Sequence, residues 1–157
     1  MKIVLACVGS MHDSELAAVL RRYAQRIPYY MPFEIREIPD IRNAKNLSTE
    51  MQKAREGEAM LQKILPGDFL MLMDERGKQM SSRQFAEFID KKASTLARNL
   101  VIAIGGPYGF SPEVYARADA RLGLSAMTFT HEMARVLTVE QIYRAMTILR
   151  GEPYHHD

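Results

Sequence analysis

The chain has 157 residues, enough for one domain with a sizeable core; 47% are hydrophobic and 25% charged, which excludes a disordered chain. Its formal net charge is +2, a balance that permits an anionic partner without demanding one. A single cysteine, Cys7, excludes an internal disulfide framework and points to a cytoplasmic protein, and no apolar run approaches the roughly 18 residues of a membrane span.

Lys2 to Val8 is an apolar run and reads as a first strand; it is too brief for a signal-peptide core. Cys7 lies inside it and is expected to be a small buried side chain. Asp13 to Ile27 reads as a helix, with Leu16, Val19, Leu20 and Tyr23 at helical spacing and Pro28 closing it. Phe33 to Ile38 alternates as a strand. Pro39 to Leu47 is a polar loop. A helix then runs to about Ile64, capped by Ser48 or Thr49; Thr49 with Gln52 has capping-box spacing.

Phe69 to Met73 reads as a buried strand, followed by a turn through Glu75-Arg76-Gly77-Lys78. Ser81 with Gln84 is a second capping-box spacing. The helix behind it carries an inner stripe of Phe85, Phe88, Ile89 and Leu96. Next come a strand from Leu100 to Ile104, a helix from Ser111 to about Asp119, a short strand near Leu122 to Leu124, and a last helix from Glu132 to Leu149. That last helix is apolar over more than one stripe, so it is either central to the monomer or part of a subunit interface. Alternating strands and helices predict an α/β fold: a single domain, residues 1–157, with a mainly parallel sheet covered by helices on both faces. Local pattern carries neither strand order nor a knot, and knots are rare.

The stretch "VIAIGGPYGFSP" stops a strand at Gly105-Gly106 and opens a helix at Ser111-Pro112. Ligands of open α/β sheets bind beyond such strand ends, where glycines let a ligand press on the backbone. A tight turn without a ligand is the plain alternative. No Gly-Lys-Ser/Thr triplet and no G-x-G-x-x-G are present, so a phosphate cradle is not indicated. Strand ends in a parallel sheet point the same way, so the strand end at Met73-Asp74 and the loop from Leu122 to Glu132 can lie beside the glycine loop. The three segments are expected to line one apolar crevice, poor in fixed charge and suited to a neutral flat heterocycle.

After Lys92 every cation is arginine: Arg98, Arg117, Arg121, Arg135, Arg144 and Arg150. Arginine's fork suits phosphate and carboxylate. Glu140 and Arg144 are also spaced for an ordinary helix salt bridge. The tail "GEPYHHD" is short, and short tails fray, but this one is rich in Tyr and His. His155 and His156, without an acid or cysteine set, make a poor metal site, and no metal is expected.

Four segments together, "LMLMDERGK", "VIAIGGPYGFSP", "LSAMTFTHEMARVLTVEQIYRA" and "PYHHD", resemble the small SPOUT-class methyltransferases, more narrowly the family that methylates N3 of a pseudouridine in large-subunit ribosomal RNA. The resemblance covers essentially the whole chain, including "MPFEIREIPD". It implies a deep trefoil knot over about residues 70–150 with a functional tail at 151–157, a homodimer, and S-adenosylmethionine bound in the knot. Carried over by motif, the cofactor contacts are Met73, Gly105, Gly106, Ser125, Ala126, Met127, Thr128, Phe129 and Thr130. Arg144, Tyr154 and His155 are the catalytic candidates, to stabilise negative charge on the ring or assist its deprotonation. The implied partner is large-subunit ribosomal RNA within the ribosome, with no membrane or DNA partner. Two positions depart from the family: Met73 stands where leucine is usual, and His156 where a basic residue is usual. A related knotted methyltransferase acting on a ribose 2′-oxygen, and a silent ribosome-binding module, remain alternatives. Arg21, Arg22, Arg26, Lys45 and Arg76 are candidates for an RNA surface.

Overall fold

Ile3–Val8 forms β1, and all six of its residues are buried. Such a strand has both faces covered, and its neighbours explain how. The computed structural model describes residues 1–157. It continues with α1 (Ser14–Ala24), β2 (Phe33–Ile38), α2 (Thr49–Leu61), β3 (Phe69–Gln79), α3 (Ser82–Thr95), β4 (Leu100–Ile104), α4 (Pro112–Arg117), β5 (Ala120–Gly123) and α5 (His131–Leu149). The five strands form one parallel sheet in the order β2-β1-β4-β3-β5.

Side chains alternate across a strand, so the sheet has two cores. Ile3, Leu5, Cys7, Met71, Leu100 and Ile102 pack with α1, α3 and α5 on one face. Val4, Ala6, Leu70, Leu72, Val101 and Ala103 pack with α2 and α4 on the other. α5 lies against both α1 and α3. No helix is long and apolar enough to cross a membrane.

Several boundaries differ from expectation: β5 spans Ala120–Gly123 rather than Leu122 to Leu124, and α2 ends at Leu61 rather than near Ile64. α1 ends at Ala24, and Pro28 sits inside a separate 3-10 turn, Ile27–Tyr29. Ser48, not Thr49, caps α2: its hydroxyl accepts from the Met51 N–H, so the Thr49–Gln52 spacing is unused and Gln52 bonds Glu56 instead. β3 runs on to Gln79 rather than ending at Met73. Met73 and Lys78 both pair with Leu122, so the residues between them bow out around β5. Gly77 makes this passage possible, because a Cβ there would lie 2.7 Å from the Leu122 backbone. The Ser81–Gln84 capping box forms as read.

β1 and β4 are neighbours, but the chain leaves them on opposite faces, through α1 and α4. Their carboxyl ends therefore lead into loops that turn to opposite faces, with Val8, Gly9, Ile104 and Gly105 all buried between them.

Candidate active site

The glycine loop is built by close backbone approach. Gly109 has φ +83°, and Gly106 and Gly109 form an isolated antiparallel bridge closed by the Gly109 N–H on the Gly106 carbonyl at 3.1 Å. A Cβ on Gly105 would lie 3.2 Å from the Gly109 backbone, and one on Gly106 would lie 2.7 Å from a Glu56 carboxylate oxygen. Ser111 then caps α4, with Pro112 at its first turn.

A cavity of about 320 Å³ opens next to β3 and β5. Met73, Leu122 and Leu124 form its floor, Phe129 one wall, and Ser82, Thr138 and Gln141 its polar side. Gly105 and Gly106 do not line it. The expected single crevice is therefore two spaces. The large cavity lies on the α3–α5 side, and Gly105 faces a small one, about 10 Å³, on the α2 side. The physical reason is that the loop after β4 follows the α2–α4 face, whereas Met73 and β5 line the α3–α5 face.

The Thr138 hydroxyl lines the large cavity, is buried, and has no hydrogen-bond partner. A buried hydroxyl left unpaired costs free energy, so this atom is suited to a polar group of a ligand. Together with a mostly apolar lining, it fits a nucleoside-bearing cofactor.

The loop from Ser125 to Thr130 borders this cavity. The Ser125 hydroxyl accepts from the Met127 N–H at 3.1 Å, and the Thr128 hydroxyl donates to Glu75. Ala126 lies between Ser125 and Met127 in the same turn, Met127 is well exposed, and Thr130 caps α5. One turn on, Glu132 accepts from the backbone N–H groups of His12 and Asp13, which holds its carboxyl below the usual range and ties α5 to the start of α1.

The tail is folded onto its own α5. Arg144 donates two bonds to Glu140, the Tyr154 hydroxyl donates to the same Glu140 oxygen at 3.0 Å, and Tyr154 packs on Tyr143 with ring centroids 4.9 Å apart. Burial, then hydrogen bonding with Tyr23 and Glu140, pushes the Tyr154 hydroxyl well above its ordinary value, so it stays a donor. Arg144 Nη1 stands 3.2 Å from His155 Nδ1, and His155 Nε2 stands 2.9 Å from Asp157. Arginine can only donate, so Nδ1 accepts and the His155 proton sits on Nε2, toward Asp157. Asp157 in turn is forked onto Arg83. The structure thus gathers Arg144, Tyr154 and His155 into one network. It adjoins the large cavity through Gln141, which bonds both Glu140 and Ser82. His156 follows in the same short tail, exposed.

Arg135 is 1% exposed and donates to the carbonyls of Val8 and Gly9, at the end of β1. Sequence reading placed it only among the arginines, and it missed Thr138 and Glu56. A helical Glu, Thr or Arg carries no local mark of burial; for Arg135 and Thr138 the available signal was their place among the apolar residues of α5, and Glu56 on α2 had none. Arg26 lies over the Tyr143 ring and Arg76 bonds Tyr115, so only part of the expected basic surface is free.

A family model described as predicted SPOUT methyltransferase matches residues 1–155. The ribosomal RNA large subunit methyltransferase H of Parabacteroides distasonis is 48% identical over 157 residues, covering 100% of both chains. The protein of that name from Christiangramia forsetii is 49% identical over 156 residues, 99% of each chain. Among solved structures, a probable methyltransferase from Bordetella pertussis superposes with TM-score 0.59 at 11% identity, covering 92% of this chain and 96% of that one. A methyltransferase-like protein from Legionella pneumophila, in complex with the bound cofactor SAM, superposes with TM-score 0.51 at 12% identity, covering 92% of this chain and 66% of that one. At such identities the structures speak for the fold.

Proposed function

This chain belongs to the SPOUT methyltransferase family, and from that premise we propose that it uses S-adenosylmethionine to methylate N3 of a pseudouridine in large-subunit ribosomal RNA. The observation that carries this reading is the end-to-end match to relatives named ribosomal RNA large subunit methyltransferase H. The knot and the cytoplasmic location belong to the same reading. The double pairing of Leu122 with Met73 and Lys78 supports a chain path that winds tightly around β5.

Met73, Phe129 and the loop from Ser125 to Thr130 would hold the cofactor beside β3 and β5, with Gly105 and Gly106 approaching it from the end of β4. Bound S-adenosylmethionine supplies an electrophilic methyl group. The protein's task is then to hold the target nitrogen in line and to stabilise charge on a ring that has lost its imino proton. The Arg144 guanidinium and the Tyr154 hydroxyl are the donors for that charge. His155 Nδ1 is a proton acceptor once it parts from Arg144. The tail network sits beside the large cavity and away from the glycine loop. The homodimer, and the ribosome that presents the RNA, belong to the same family reading.

The test uses ribosomes from a strain lacking the enzyme, labelled cofactor and mass mapping of the product. A methyl group on pseudouridine N3 is the expected result. An alkali-resistant linkage would place the methyl on a ribose 2′-oxygen and overturn the proposed target. No saturable cofactor binding in calorimetry, with a Gly105→Val variant as the control, would leave a silent module.

A further inference from the structure

Glu56 is 5% exposed, on α2, and sits directly beneath the glycine loop. Its Oε1 accepts from Gln52 Nε2 at 3.0 Å, while its Oε2 has no partner. The position a Gly106 Cβ would take lies 2.7 Å from that free oxygen. The seat is tight by construction. Next to Glu56, a Cβ on Gly57 would lie 2.3 Å from the Ser111 hydroxyl, so α2 closes onto the start of α4 only because residue 57 is glycine.

A buried carboxylate with one oxygen unpaired is costly, and such groups are usually matched by a cation. The charged groups around it do not supply one. Lys53, on the same helix and lining the same small cavity, is committed to Glu50 at 3.1 Å. Asp40, from the loop after β2, carries the same sign as Glu56, and His131, at the start of α5, opposes it weakly. Burial, with a contribution from Asp40, raises the Glu56 carboxyl above its ordinary value despite the Gln52 bond and His131. On the side away from Glu56 the loop is less covered: Gly106 and Gly109 are half-buried, and Pro107 and Tyr108 are exposed.

We propose that Glu56 is the counter-charge for a cationic group of the cofactor held on the far side of the Gly105-Gly106 backbone. The inference rests on the functional reading above. S-adenosylmethionine carries two such groups, the sulfonium and the α-ammonium. The glycines keep the layer between carboxylate and cation one backbone thick, which is the distance at which an opposite charge still matters in a partly dry site. Glu56 touches the loop rather than the reacting atoms, so it positions and selects the cofactor. Binding of a cation favours the carboxylate and drives off the proton that burial retains. Proton release therefore accompanies binding at mildly acid pH, and affinity rises with pH through that window.

Calorimetric titration in buffers of different ionisation heat tests this, with wild type, Glu56→Gln and Glu56→Asp. S-adenosylmethionine, S-adenosylhomocysteine, which lacks the sulfonium charge, and 5′-methylthioadenosine, which lacks both charges, are the ligands. The expected result is about tenfold weaker S-adenosylmethionine binding by Glu56→Gln, loss of proton release, and unchanged methylthioadenosine binding. Glu56→Asp restores part of both effects. Loss confined to S-adenosylmethionine assigns the carboxylate to the sulfonium; equal loss for S-adenosylhomocysteine assigns it to the ammonium. Equal loss for methylthioadenosine would mean a purely structural role, and unchanged binding of every ligand would mean no role; either overturns the inference while leaving the methyltransferase reading standing. Wild-type protein that binds none of the three would overturn both.

Discussion

Arg144 and His155 meet at 3.2 Å although the helix end and a turn separate them in the chain. The guanidinium is held by Glu140 below and faces the imidazole above, so α5 and the tail share one polar cluster. Glu140 is its hub, because the Tyr154 hydroxyl also ends there.

Glu140→Gln weakens both attachments at once. Each loses a charge-assisted bond worth about 1.5 kcal/mol, so the methylation rate is expected to fall roughly tenfold or more. Cofactor affinity stays close to wild type. Removing residues 152–157 should abolish methylation with the same sparing of cofactor binding, measured by single-turnover assay and calorimetry side by side. Unchanged turnover after the truncation would remove Tyr154 and His155 from the mechanism.

Thr138→Val replaces an unpartnered buried hydroxyl with a methyl of similar shape. Folding stability is expected to hold or to rise by up to about 1 kcal/mol, because no bond is lost. If the hydroxyl meets the cofactor, affinity falls several-fold in the same variant. Denaturation curves and binding isotherms together separate the two effects.

Gly77→Ala sets a methyl against the Leu122 backbone at 2.7 Å, where neither partner is a flexible side-chain end. Destabilisation of about 2–3 kcal/mol is expected. Gly151→Ala is the comparison: φ is +67° but nothing lies within 4 Å. Only the left-handed backbone cost of about 1 kcal/mol applies there.

The tail anchor is pH- and salt-dependent. Hydrogen bonds from Arg83 and then His155 lower the Asp157 carboxyl to about 2. A depressed native value stabilises the anchored state above the ordinary carboxylate value of about 4. That contribution is lost as pH falls through about 2. The pair is exposed, so salt also weakens it. His155 ring resonances in NMR titrations at low and high salt report the release.

Cys7 behaves oppositely. Burial pushes its thiol up to about 12. A raised native value contributes stability that is complete below the ordinary thiol range and is lost as pH rises through about 12. The native protein should therefore resist thiol reagents at mildly alkaline pH and react fully once unfolded.

Much of the fold was legible in the sequence. β2 and β4 have the bounds their patterns predicted, and Ser81 with Gln84 closes the capping box that its spacing announced. These features are local: alternation, a cap or a run of apolar residues acts within a few positions of itself. The same holds for the glycine loop and for the family motifs, which are continuous segments.

Other features needed the chain folded. Thr49 and Gln52 have the right spacing for a cap, yet Ser48 takes the role because the approach from Leu47 sets where α2 begins. β3 outruns its apolar core because β5 returns to pair with Lys78, a partner more than forty positions away. The split of one expected crevice into two depends on which sheet face each loop follows. Glu56, Thr138 and Arg135 are ordinary letters in helical segments, and only packing leaves the first two with unpaired oxygens and the third on the carbonyls of β1. Sequence by itself determined the elements, because their signals are short-range. Tertiary structure alone decided which polar groups went into the dry interior, since burial belongs to the neighbours a residue acquires and not to the residue.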